Sequence, residues 1–216
     1  MSKRQIVSVS YSCLLDEYGN MTDNGIELLT KIFSNYRLVI YTKDIDEVTK
    51  MLESKGINFN GVSDVKPPAF VTIDKNIICF DGNCDGLKEK IDSYYQGNND
   101  IVFFDFDGVI HEYISPWINA ATISDGIVRG IRELIDELRQ TYKVVICSSR
   151  CGKEGGMDAI ATYLDENDII VDSVVESKPN SFVAIDDRAI PFTGDVDEVI
   201  EQLNSFVPWN KKLIKV

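Results

Sequence analysis

The 216-residue sequence predicts an α/β protein made of two tandem three-layer α/β/α units, each on a mostly parallel, Rossmann-like sheet. Three observations carry this reading. The first is internal repetition. Residues 62–83 lie over residues 174–195 without a gap, and 10 of the 22 aligned pairs are identical, among them Lys66, Pro67, Phe70, Asp74, Phe80 and Gly82 with their partners 112 positions on. Two further apolar segments align in the same order, 6–15 over 101–110 and 37–44 over 143–150. The second observation is that short apolar runs alternate with amphipathic stretches, the rhythm of a parallel sheet covered by helices. The third is composition: 44% hydrophobic and 26% charged residues are globular values that exclude disordered and collagen-like chains.

The second copy shows the elements most clearly. Residues 101–105 form a continuous apolar run suited to a buried parallel strand. Residues 130–140 place Ile131, Leu134, Ile135 and Leu138 at helical spacing with charges between them. A second buried strand is expected over 144–147, followed by a helix over 156–167 with Ile160, Tyr163 and Leu164 on one face. Residues 182–185 read as a third strand ending at Asp186 and Asp187, and 197–206 as the helix that closes the unit. The polar stretch 96–100 is the expected seam, giving domains at 1–96 and 100–216.

Composition also bounds the chemistry. His111 is the single histidine, so a two-histidine metal site is excluded. Five cysteines, with no C-x-x-C pair among them, argue against a disulfide framework or a zinc knuckle and fit a reducing compartment. No apolar run approaches the ~18 residues of a membrane span, and the first residues lack a signal-peptide pattern. A cytoplasmic protein without membrane attachment is expected. Net charge is −13, divided as −4 over residues 1–100 (11 basic, 15 acidic) and −9 over 101–216 (11 basic, 20 acidic). Such a surface disfavours extended nucleic acid, whose non-specific binding rests on neutralising phosphates. A local basic groove for one strand end stays open.

The second copy carries a coherent set of polar residues. Asp105, Asp107, Ser148, Lys178, Asp186 and Asp187 each sit at or just beyond the carboxyl end of a predicted strand. That edge of an open parallel sheet is where ligands bind. Carboxylates without histidine or thiolate favour a hard cation, magnesium before zinc.

Asp105-Phe106-Asp107-Gly108 after an apolar strand, Ser148 after the next, then Lys178 and Asp186-Asp187, resemble in order the four motifs of the haloacid dehalogenase superfamily of phosphohydrolases. The resemblance spans the second copy. It implies an aspartyl-phosphate mechanism, with Asp105 as nucleophile and Asp107 as general acid and then base. It also implies Mg²⁺ held by Asp105, the Asp107 carbonyl and Asp186, with Asp187 positioning Lys178 or a metal-bound water. Ser148 would bind a phosphoryl oxygen and Lys178 would balance charge. The gaps from Asp107 to Ser148 and from Ser148 to Lys178, 40 and 29 residues, are too short for a cap domain, so the copy reads as capless.

Ser148-Ser149-Arg150 and Asp186-Asp187-Arg188 further resemble the 3′-phosphatase domain of phage-type polynucleotide kinases. On that resemblance Ser149, Arg150, Lys153 and His111 are candidate substrate contacts, Gly152, Gly155 and Gly156 could shape a second phosphate loop, and Trp117 could stack on a base. In the first copy Ser10 and Ser12 stand at the positions of Asp105 and Asp107, while Thr42, Lys66 and Asp74 remain. That copy reads as a degenerate, non-catalytic unit that covers the active site, mediates homodimerisation or binds a phosphorylated ligand. The expected function is a Mg²⁺-dependent phosphomonoesterase acting on a nucleotide or polynucleotide end. A phosphatase of a small metabolite such as a sugar phosphate and a non-catalytic phospho-ligand binder stay open.

Overall fold

In the computed structural model, which describes residues 4–212, the first stretch of chain forms β1 (Ile6–Ser10), α1 (Asp23–Asn35), β2 (Arg37–Tyr41), α2 (Ile45–Ser54), β3 (Gly61–Ser63), β4 (Val71–Asp74), β5 (Ile77–Cys79) and α3 (Leu87–Asp92). The second forms β6 (Ile101–Phe104), α4 (Ile131–Leu138), β7 (Lys143–Cys147), α5 (Gly156–Glu166), β8 (Ser173–Val175), β9 (Val183–Asp186), β10 (Ala189–Pro191), α6 (Val196–Ser205) and α7 (Trp209–Lys212). The strands lie in two five-stranded parallel sheets, β10-β4-β1-β2-β3 and β5-β9-β6-β7-β8. The α/β class with two Rossmann-like units is as the repeat and the alternation predict. Among the described residues no helix is long and apolar enough to cross a membrane.

The division between the units differs from the expected seam. One unit contains the chain up to Ile77 together with Arg188–Phe206; the other contains Ile78–Asp187 and the chain from Val207 on. The 96–100 stretch therefore lies inside the second unit, and the boundaries 1–96 and 100–216 are corrected accordingly. The cause is an exchange of edge strands. β10 pairs with β4, Ala189 opposite Thr72 and Pro191 opposite Asp74. β5 flanks β9, where the Phe80 N–H donates to the Asp186 carbonyl at 3.0 Å. The repeat explains why this costs nothing in register: the β4 and β9 edges share the Phe-Val-x-Ile-Asp sequence, and Ile78 and Phe80 correspond to Ile190 and Phe192. α6, expected to close the second copy, packs Val196, Val199 and Leu203 into the first unit's core.

In the first unit α1 begins at Thr22, whose side chain accepts the Gly25 N–H at 3.0 Å and so satisfies one of the helix's open donors. Leu28, Leu29 and Ile32 on its inner face meet Val7, Val9 and Ile73 of the sheet. In the second unit α4 turns Ile131, Leu134, Ile135 and Leu138 inward, as its spacing predicts. They share a core with Phe104, Val144, Ile146 and Ile185. Ile78, Phe80, Leu87 and Ile91 complete that core from β5 to α3. Each such side chain contributes about 1.5–3 kcal/mol, so losing all four is comparable with the whole stability of a domain, about 5–15 kcal/mol. A fragment spanning 100–216 is accordingly expected to lack cooperative unfolding and to aggregate, whereas one that also carries 78–99 gains folded signal in near-UV circular dichroism. A well-folded 100–216 fragment would show that β5 and α3 are dispensable.

Candidate active site

In the second unit the strand order reverses at β6, with β7 and β8 on one side and β9 and β5 on the other. The crevice at the carboxyl ends of such strands is the ordinary ligand position. Asp105 follows β6, and its N–H extends the ladder to the Ile185 carbonyl at 2.8 Å. Its Oδ1 accepts the Phe106 N–H at 2.7 Å, which orients the carboxylate. Asp186 ends β9 and Asp187 follows it, both buried. One carboxylate oxygen from each of Asp105, Asp186 and Asp187 lies within 4.8 Å of the others, and among the described residues no other three metal-ligating side chains converge this way. An all-oxygen set of this kind could hold a hard divalent cation such as Mg²⁺. Gly108 makes room for it: at φ +83°, a Cβ there would lie 2.3 Å from Asp187 Oδ2.

Asp107 faces elsewhere. Its carboxylate accepts two hydrogen bonds from Arg150, Nε to Oδ2 at 2.7 Å and NH2 to Oδ1 at 2.9 Å, and a third from His111 Nδ1 at 2.9 Å. His111 Nε2 accepts the Asp125 N–H at 3.2 Å, so the neutral ring carries its proton on Nδ1 and donates it to Asp107. Burial pushes the Asp107 carboxyl up, but the hydrogen bonds from His111 and Arg150 and the charge of Arg150 outweigh it and hold the group below its ordinary value. The Asp107 carboxylate thus stands outside the Asp105, Asp186 and Asp187 cluster, which leaves only its backbone carbonyl for the metal role that the motif resemblance implies.

The same arginine organises the excursion between β6 and α4. Arg150 NH1 donates to the carbonyls of Asn119, Ala120 and Thr122 at 2.9–3.2 Å. Paired backbone bonds between 110–112 and 126–128 close the excursion at its base. His111 is 1% exposed, stacked on Phe106 and set edge-on against Tyr163. Arg150 is 2% exposed with its donors on Asp107 and the three carbonyls. Both were expected to touch substrate; both are interior residues that shape the site. Their common partner, Asp107, lies 43 residues from Arg150 in sequence, and no local pattern signals the pairing.

The remaining expected residues fall as follows. Ser148 caps β7, buried, with its Oγ accepting the Arg150 N–H at 3.3 Å, so its own hydroxyl proton is left to donate. Lys178 follows β8 at the same edge and is half-buried, as is Ser149. Lys153 is exposed and sets its Nζ 4.9 Å from the Trp117 ring centre, beside the Arg150 guanidinium at 4.5 Å. Trp117, Ile118, Ala121, Lys153 and Gly155 line an open concavity. Gly156 has a packing reason instead of a phosphate-binding one: a Cβ there would lie 2.1 Å from the Arg150 carbonyl oxygen. Arg188 belongs to the first unit, where its carbonyl accepts the Thr72 N–H at 2.7 Å.

The corresponding edge of the first unit is different in charge. Ser10 ends β1 with its Oγ 3.0 Å from Ser12 Oγ, in place of two carboxylates. Asp74 ends β4, and Lys66 follows β3; both are buried. Thr42 follows β2, half-buried.

Comparison of the chain with protein-family models, with curated proteins and with solved structures found no match.

Breaking a buried ion pair by removing one partner costs about 3–5 kcal/mol, and Arg150→Ala should show that loss in urea denaturation at neutral pH. In the wild type the contribution of Asp107 is present above its unfolded value of 3.8 and is lost as pH falls through the lower native value. In the variant the orphaned carboxyl rises above its unfolded value instead, so acidification relieves it. The deficit should therefore shrink on going from neutral pH toward about pH 4; a constant deficit would show that Asp107 is not the counter-charge.

Proposed function

We propose that the second unit is a Mg²⁺-dependent phosphomonoesterase that works through an aspartyl-phosphate on Asp105 and acts on a nucleotide or polynucleotide end. The observation that carries the reading is the convergence of Asp105, Asp186 and Asp187 at the strand-order switch, with the half-buried Asp107 two residues after Asp105. The order of the four motifs and their resemblance to the haloacid dehalogenase superfamily support it. Bound among these carboxylates, Mg²⁺ would supply neutralisation of the charge gathered by nucleophile and phosphate. Asp105 attacks phosphorus in line, the ester P–O bond breaks, and the leaving oxygen departs with the electron pair. Ser148 donates its hydroxyl to a phosphoryl oxygen and Lys178 offsets its charge. Water then attacks the aspartyl-phosphate and gives its proton to Asp107, freeing inorganic phosphate and Asp105.

The hydrogen bonds at Asp107 favour its part in that second step over the general-acid part that the motif resemblance also implies. Held ionised by three donor hydrogens from Arg150 and His111, this carboxylate carries no proton to give a leaving group. A stable anion such as p-nitrophenolate then leaves without a proton, whereas the alkoxide of a nucleotide takes its proton from water. The choice of a nucleotide rests on the concavity beside Arg150, where an exposed indole and Lys153 offer an aromatic surface and a positive charge.

The test is phosphate release from p-nitrophenyl phosphate, 3′- and 5′-mononucleotides, a sugar phosphate and a 3′-phosphorylated oligonucleotide. Turnover should require Mg²⁺, vanish with EDTA and in Asp105→Asn, and persist in Ser10→Ala. The sugar phosphate as best substrate would favour the small-metabolite reading. Folded wild type that is silent on every substrate with Mg²⁺, or an active Asp105→Asn, would refute the assignment.

Asp107→Asn separates the two chemical steps. It should still release a burst of p-nitrophenolate equal to the enzyme present, then stall as the phosphorylated protein, which intact mass measures. Loss of the burst would assign Asp107 to leaving-group protonation instead.

A further inference from the structure

The catalytic reading leaves α7 without a task, although the segment is tightly engaged with the second unit. Trp209 Nε1 donates to the Gly108 carbonyl at 2.8 Å. Gly108 is the residue whose bare Cα rests on Asp187 and whose own N–H donates to the His111 carbonyl at 2.7 Å. Its peptide is therefore held on three sides, one of them by Trp209. The indole is itself wedged: a Cβ at Gly82 would lie 2.6 Å from it, and Phe80 meets it edge-on with ring centres 6.2 Å apart. Phe80 in turn is tied to β9 through the Asp186 carbonyl.

The next two residues continue the attachment. Asn210, with no exposed surface, donates its amide to the carbonyls of Glu112 and Tyr113, both at 3.1 Å. Lys211 donates to the carbonyls of Tyr113 and Ile114 at 3.0 and 3.2 Å, and its Nζ lies 4.7 Å from the Tyr113 ring centre. Tyr113 has φ +51°, a left-handed conformation that a non-glycine residue keeps only where its surroundings impose it. Trp209, Asn210 and Lys211 thus direct five hydrogen bonds at four carbonyls of the loop that follows Asp107. Apolar anchoring alone would need only the indole. Three consecutive residues whose side-chain N–H donors meet this one loop set its conformation.

We propose that Trp209, Asn210 and Lys211 form a strap that positions the Gly108–Ile114 loop, and through Gly108 the Asp105–Asp107 backbone, for metal binding and phosphoryl transfer. They are positioning residues and touch no reacting atom. The proposal rests on the phosphatase reading for its catalytic half only.

Trp209→Phe is the informative variant, because it keeps a ring against Gly82 and Phe80 and removes only the bond to Gly108. Hydrogen exchange of the full chain, read on peptides covering 106–114 and 143–147, is compared with Mg²⁺ affinity by calorimetry. One lost hydrogen bond of about 1 kcal/mol should speed exchange over 106–114 roughly fivefold and leave 143–147 unchanged. Mg²⁺ affinity and kcat should fall by a similar factor, with KM little altered. Asn210→Ala should act in the same direction and more strongly. Unchanged exchange over 106–114 would overturn the strap, and faster exchange with unchanged Mg²⁺ affinity and kcat would reduce it to a purely structural contact. Wild type that binds no Mg²⁺ would instead overturn the metal-site reading, with the exchange result still deciding whether the strap holds the loop.

Discussion

The order of the site rests on the buried pair between Arg150 and Asp107. A guanidinium removed from water must find both a counter-charge and partners for its donors, since an unpaired buried charge costs several kcal/mol. Asp107 supplies the charge in bidentate geometry, and the carbonyls of Asn119, Ala120 and Thr122 take the donors left over. One side chain at the end of β7 thereby joins the end of β6 to an excursion that has little apolar core of its own. His111 completes the arrangement: its tautomer is fixed by the Asp125 amide on one ring nitrogen, so the other always presents a proton to Asp107. Asp107 is the shared partner, so removing it leaves donors of both Arg150 and His111 unsatisfied in a buried site.

Duplication and exchange are two consequences of one fact, the near-identity of the β4 and β9 edges. Each edge offers the same apolar ladder to whichever fifth strand arrives, and the loops after Asp74 and Asp186 deliver β5 and β10 to opposite sheets. The units then diverge only where side chains leave the ladder. Serines at 10 and 12 remove the two charges that Asp105 and Asp107 carry, and Lys75 stands where Asp187 does. One edge carries a buried aspartate, a buried lysine and an exposed lysine, whereas the other gathers three carboxylates that could hold a divalent cation. The same backbone thus serves two different electrostatic environments.

Much of this was legible in the sequence, and for stated reasons. Buried parallel strands are continuous apolar runs, so 101–105, 144–147 and 182–185 coincide with β6, β7 and β9 to within a residue or two. Because residues at the ends of such strands must meet at one edge, Asp105, Ser148 and Asp186 could be placed there without coordinates. The partition of the chain was not legible: the repeat that reveals two units also makes their edge strands interchangeable, so nothing local says which sheet 77–79 joins. The burial of Arg150 and His111 was not legible for a related reason. A cation and an imidazole beside carboxylate motifs read as ligands, while their burial is set by a partner on another strand and by the fold of the excursion. Trp209 and Asn210 gave no signal, since their partners lie about 100 residues away.

The two attachments of the excursion share a property that bears on specificity. Arg150 holds the carbonyls of 119, 120 and 122, and Asn210 and Lys211 hold those of 112, 113 and 114. Both grip main chain, which every residue type provides, so the path of the loop is fixed without reference to the side chains it displays. The stretch between the two grips is where Trp117 and Ile118 stand 41% and 67% exposed. Apolar side chains left in water on a backbone held from both ends pay little further ordering entropy when a ligand covers them. A loop built this way can exchange its displayed residues while Asp107 and Gly108 keep their positions. Constancy of the backbone path and freedom of the side chains it displays follow from the same set of carbonyl hydrogen bonds.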